Sequence, residues 1–209
     1  MLHQESIDQS TLELLIKLQK KDYLKGFYLV GGTALALTIG HRKSVDIDLF
    51  SDFNFDTGFM LENLSADFNF ELFFSANNTL KGSIDGIQID ILAYRYSLVR
   101  VPMVIDDISM LSVEDIVAMK LNAISVSGQR VKDFIDIFYL LDEYTVGEMI
   151  GFYKLKYPHY NEVNVLKSLN WFEDVDLSDW PVILKTPKLK WGTVTKKIKD
   201  STNIFLKQL

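Results

Sequence analysis

Two carboxylates one residue apart, Asp46 and Asp48, follow a Gly31-Gly32-Thr33 run in this 209-residue chain. In an extended segment over Val45–Phe50, alternate side chains share a face. Val45, Ile47 and Leu49 are therefore expected on the core side, and Asp46 with Asp48 on the other. Two acids so placed repel unless a cation lies between them. Magnesium prefers hard oxygen ligands and commonly takes one or two carboxylates together with substrate phosphates. The glycine pair lets the backbone turn sharply and approach a ligand closely. A helix starting just after it presents free N–H groups and a positive dipole end, which suits a phosphate. Gly-Gly alone is an ordinary turn, and Asp-x-Asp alone is an ordinary solvated strand face. In the order strand, Gly-Gly, helix, strand, they reinforce each other.

Further charged residues stand where the pattern asks for apolar ones. Asp90 lies in Ile87–Tyr94, whose alternation sends Ile87, Ile89 and Ile91 inward. An acid in such a strand costs several kcal/mol unless it is paired, metal-bound or at a wet edge. Lys120 falls in the apolar stripe Ile116, Met119, Ala123 and Ile124 of a helix that Ser112 is placed to cap. It reads either as a snorkelling lysine or as a cation for a ligand. After Gly128, a second helix over Gln129–Glu143 carries Asp133 and Asp136 on one face, while Phe134, Ile135, Phe138 and Leu141 pack. A bland account of Asp136 is an ion pair with Arg130 or Lys132. A lysine on one helix and an acid pair on the next predict a helical hairpin whose charges converge.

The surrounding elements are legible at lower resolution. Leu12, Leu14, Leu15, Ile16 and Leu18 predict a helix from about Ser10 to Lys20, and Phe27–Val30 a buried strand. Thr57–Ser65 reads as a helix, Phe68–Ser75 as an aromatic strand, and Asn77-Asn78 as a turn with Leu80–Ile84 returning. Asp85-Gly86 is a two-residue hairpin turn. Ser97–Asp107 is a loop or strand passage. Beyond Tyr144 the chain is expected to be helical. Trp171, Trp180 and Trp191 would pack it onto the first half, and a last helix over Trp191–Gln208 would carry most of the C-terminal lysines.

The wording GGTALAL…GHRKSVDIDLF resembles the nucleotidyltransferase superfamily and, more narrowly, the AbiEii/AbiGii toxin family of abortive-infection and toxin–antitoxin systems. The stretch SVEDIVAMKLNAI…RVKDFIDIFYLL is similar to that family's second block, so the likeness runs from Phe27 to Tyr144. It implies an α/β (α+β) fold: a nucleotidyltransferase-like mixed sheet flanked by helices (residues 1–110), and a C-terminal helical part closing the active site (111–209). It also implies transfer of a nucleoside monophosphate from an NTP to a hydroxyl. Two Mg²⁺ ions would lie on Asp46 and Asp48, with Asp90 as third ligand and helper in deprotonating the acceptor. Gly31, Gly32 and Thr33 would hold the triphosphate, Lys120 would offset its charge, and Asp133 or Asp136 would position the attacking group.

Composition narrows the setting. Hydrophobic content of 48% argues for a packed chain rather than a disordered one. With no cysteine, thiolate metal sites and disulfides are excluded, and a cytoplasmic location is expected. Nothing at Met1–Gln9 reads as a signal peptide, and no apolar run approaches the roughly 20 residues of a membrane span. The net charge of −6 argues against a generally basic surface, yet residues 185–209 hold seven lysines and one acid. Three readings follow: a toxin modifying a macromolecule such as the tRNA acceptor end or a protein, with a cognate antitoxin; an antibiotic-type small-molecule nucleotidyltransferase; or a non-catalytic nucleotide-binding module.

Overall fold

Residues 1–208 are described by the structure, a computed structural model. Two compact units emerge, the first made of Met1–Tyr96 with Pro102–Leu111 and the second of Ser97–Val101 with the chain from Ser112 onward.

The first unit is built on a seven-stranded mixed sheet. Its strands are β1 (Tyr28–Leu29), β2 (Ile47–Ser51), β3 (Phe70–Ala76), β4 (Thr79–Ile84), β5 (Ile87–Ala93), β6 (Met103–Ile105) and β7 (Ile108–Met110), in the order β3-β4-β5-β2-β1-β7-β6. Helices α1 (Gln9–Gln19), α2 (Gly31–Ile39) and α3 (Thr57–Asp67) accompany it. β2 runs parallel to β5 and antiparallel to β1, while β3, β4 and β5 form an antiparallel meander. Burial separates the two faces of the central strands. Ile47, Leu49, Ile89 and Ile91 are fully buried, whereas Asp48, Phe50, Asp90 and Leu92 on the other face are only half-buried.

Three local expectations change. β2 starts at Ile47 rather than Val45, and Val45 is 53% exposed instead of facing the core. The glycines do not precede the helix: α2 begins at Gly31, with Val30 as its N-cap residue. The Ser97–Asp107 passage contains one strand of an additional hairpin, β6–β7, whose β7 pairs in parallel with β1. Its turn residues Asp106 and Asp107 both take positive φ, 51° and 63°. An Asp-Asp pair without glycine is a poor advertisement for such a turn.

The second unit is helical: α4 (Val113–Val126), α5 (Val131–Leu140), α6 (Val146–Lys156), α7 (Glu162–Ser168) and α8 (Trp191–Leu206). Ser112 caps α4 by accepting the Asp115 N–H at 3.0 Å. Trp191 packs edge-on against Phe134, Phe172 and Trp180 within this unit, whereas Trp171 is 53% exposed. Of the seven C-terminal lysines only Lys196, Lys197 and Lys199 lie on α8, fewer than expected.

A buried ion pair that the sequence conceals anchors this unit. Asp115 on α4 receives Lys156 Nζ of α6 at 2.7 Å, and both side chains are almost wholly buried. Asp115 also accepts the Ser112 hydroxyl at 2.6 Å and the N–H groups of Val99 and Arg100 at 2.9 and 3.1 Å, while Lys156 donates to the Ser97 carbonyl at 3.1 Å. The Ser97–Val101 segment is thereby pinned to the helices. Burial pushes the Asp115 carboxyl up, but the hydrogen bonds from Lys156, Ser112 and Val99 outweigh it and hold the group below its ordinary value of 3.8. A depressed carboxyl contributes stability that is full above its unfolded value and fades as pH falls through the folded one. Asp115→Asn should therefore cost on the order of 3–5 kcal/mol at pH 7 by stranding buried Lys156. It should also flatten the loss of stability below about pH 4. Urea titrations of both proteins across pH 3–7 measure this, and parallel acid limbs would refute it.

Candidate active site

The first unit gathers its candidates on the half-open face of the sheet. Asp48 and Asp90 are register partners on the parallel strands β2 and β5, so their side chains stand next to each other on one face. Asp46 lies just before β2. Its carbonyl accepts the Thr33 hydroxyl, which also bonds Ser44 Oγ at 2.9 Å. Thr33 is 1% exposed, so its side chain braces the turn rather than facing a ligand.

The glycine turn is shaped by these neighbours. Gly31 has φ +71°, and a Cβ there would overlap Asp48 Oδ2. The backbone thus passes directly against a carboxylate, in a conformation that favours glycine. A Cβ on Gly32 would overlap Nη2 of Arg42, a buried residue (2% exposed) that donates from Nη1 to the Lys43 carbonyl at 2.9 Å. Helical bonding in α2 starts from Ala34 N–H to Val30 C=O at 3.4 Å, so the N–H groups of residues 31–33 lie in the first turn, ahead of the first helical hydrogen bond.

Asp90, the one acid of β5, is paired. Lys81, opposite it on β4, forms an ion pair with Asp90 Oδ2. Among the described residues no three His, Cys, Asp or Glu side chains stand as a ready metal-holding group. The donor chemistry nonetheless suits a hard cation: Asp46, Asp48 and Asp90 carry carboxylate oxygens only, and the register sets Asp48 beside Asp90. They would hold Mg²⁺.

The second unit brings its own candidates together. Lys120 of α4 is 6% exposed and does not snorkel. Its Nζ lies 2.6 Å from Asp133 Oδ1 and 2.8 Å from Asp136 Oδ2, both buried on α5. The expected partners of Asp136 are engaged elsewhere: Arg130 reaches Asp133 at 4.0 Å, and Lys132 pairs with Asp179 at 2.7 Å. Sequence reasoning passed over Lys81, Arg42, Ser44, Asp115 and Lys156.

Comparison with known proteins decides the family. The profile described as "Nucleotidyl transferase AbiEii toxin, Type IV TA system" matches residues 13–72 and 69–202. The chain belongs to the AbiEii nucleotidyltransferase toxin family. It is 32% identical over 168 residues to protein aq_aa25 of Aquifex aeolicus (strain VF5), spanning 78% of this chain and 81% of that one. In fold it is similar to MenT4, a nucleotidyltransferase toxin of Mycobacterium tuberculosis H37Rv (TM-score 0.64, 14% identity, 96% of this chain and 82% of that one). It is likewise similar to JHP933 of Helicobacter pylori (TM-score 0.57, 16% identity, 98% and 95%). The two matched ranges contain the Gly31–Asp48 stretch and the Lys120–Asp136 cluster respectively. Among the described residues no helix is long and apolar enough to cross a membrane.

Two substitutions probe this geometry. Gly31→Ala should destabilise the protein by roughly 1–3 kcal/mol, because alanine is strained at this φ and its methyl meets Asp48; an unchanged melting temperature would contradict the close approach. Lys120→Met leaves two buried carboxylates without their ammonium and should cost on the order of 3–5 kcal/mol. A urea midpoint equal to the wild type's would show that the pair of acids does not depend on Lys120.

Proposed function

We propose that this chain transfers a nucleoside monophosphate from an NTP to a hydroxyl of a macromolecule, with the tRNA acceptor end as the candidate acceptor. It would act as the toxin partner of a cognate antitoxin. One observation carries the reading: Asp48 and Asp90 stand side by side on an open sheet face, with the Gly31 backbone packed against Asp48. A phosphate at the start of α2 would meet N–H donors on one side and the carboxylates on the other.

Divalent magnesium, when bound, supplies charge neutralisation for the attacking and leaving oxygens of an in-line displacement. Asp46, Asp48 and Asp90 would hold it. Asp90 would take the proton from the acceptor hydroxyl, and the first N–H groups of α2 would orient the triphosphate. Lys120 would contribute positive charge toward phosphate, Asp133 and Asp136 hold its ammonium, and one or other of the two acids would position the attacking group. A macromolecular acceptor is favoured over a small one by the exposed lysines 185, 188, 190, 196 and 207, which offer contacts to a polyanion.

Incubation with each labelled NTP, with and without total tRNA, tests the proposal. Label is expected in tRNA with one or few NTPs, is lost with excess EDTA, and is absent with Asp46→Asn at unchanged fold. Transfer that persists in EDTA would remove the metal assignment. Label on neither RNA nor protein, but on an aminoglycoside-type alcohol, would favour the small-molecule alternative.

A further inference from the structure

Counting outward from the Asp85-Gly86 turn places Lys81 opposite Asp90, and the register continues across the sheet. Phe74 on β3, Lys81 on β4, Asp90 on β5 and Asp48 on β2 form one transverse row on the half-open face. Lys81 and Asp90 are 43% and 29% exposed at their side chains. A pair so wet adds little to stability, so fold strength does not account for a cation at this point. Its effect is on charge: Lys81 covers the one carboxylate that the row's other acid, Asp48, would otherwise repel.

We infer that Lys81 is a resident counter-cation of the carboxylate face, competing with a divalent metal for Asp90. In the ligand-free chain its ammonium holds Asp90. A metal at Asp90 then either displaces Lys81 from Oδ2 or binds beside it through the other oxygen, and in both cases the ammonium next to the site weakens the metal's affinity. The inference rests on the reading of Asp46, Asp48 and Asp90 as metal ligands.

Mn²⁺ binding to the full chain without nucleotide, followed by electron paramagnetic resonance of the free ion, tests it without any turnover. Lys81→Met should bind Mn²⁺ on the order of ten-fold more tightly than wild type, since a unit charge near a dication is removed along with the competing ion pair. Lys81→Gln serves if the methionine variant melts early. Lys21→Met, which removes a lysine paired with Asp67 instead, should leave affinity within two-fold. In an Asp90→Asn background the gain from Lys81→Met should shrink, because no carboxylate remains to be contested. Equal or weaker Mn²⁺ binding by both Lys81 variants would overturn the inference while leaving the metal reading intact. No Mn²⁺ binding by wild type or any variant would instead overturn the metal reading beneath it.

Discussion

The parallel pairing of β2 with β5 sets Asp48 and Asp90 at the same register on strands that lie about 4.8 Å apart. Like charges directly opposite one another oppose that pairing. What holds it is the other face, where Ile47, Leu49, Ile89 and Ile91 are fully buried. A slip of one residue would drive the carboxylates into that core and the isoleucines into water. The hydrophobic face therefore imposes a repulsive arrangement on the polar one. Much of the surrounding design answers it: Lys81 on Asp90, the N-terminus of α2 near Asp48, and partial exposure that keeps water available.

In the second unit, buried charge is handled in two different ways. Asp115 and Lys156 are one acid and one base, each with extra hydrogen bonds to a neighbouring segment, and the arrangement reads as a structural rivet. The Lys120 cluster sets two buried acids against one buried ammonium, with Arg130 only grazing Asp133. A rivet needs a single acid. A second buried acid adds a desolvation cost of its own, and that sets this cluster apart from the Asp115–Lys156 pair.

How much of this was legible depended on whether the signal was local. The strand–helix–strand order around Gly31-Gly32 and the convergence of Lys120 with Asp133 and Asp136 could be read from spacing, because helical and strand periods fix which side chains share a face. The partner of Asp90 could also have been found: a two-residue turn at Asp85-Gly86 makes residues 81 and 90 opposite by counting alone. Asp115 was masked because an acid in a helix's first turn is usually explained by the dipole, and its partner lies 41 residues away. Arg42 was masked for the opposite reason, since an arginine beside a lysine suggests solvent while it is in fact packed on Gly32. The β6–β7 hairpin escaped because its turn lacks glycine.

Charge distribution also bears on the kind of acceptor. With a net charge of −6, the molecule as a whole repels nucleic acid, so any attraction must be local. The C-terminal lysines are not all available for it. Lys197 donates to the Phe138 carbonyl at 2.8 Å and also pairs with Asp142, and Lys199 sits over the Phe172 ring at 5.3 Å. Lysines 185, 188 and 190 precede α8 in irregular chain and are exposed, and Lys196 and Lys207 are exposed as well. A helix face of evenly spaced cations would only have been a solvated surface. A run of lysines in the segment leading into α8, with part of the helix's own charge already neutralised inside the fold, concentrates the remaining field on one stretch of chain. A phosphate backbone gains more from such a local field than a small neutral or cationic acceptor does.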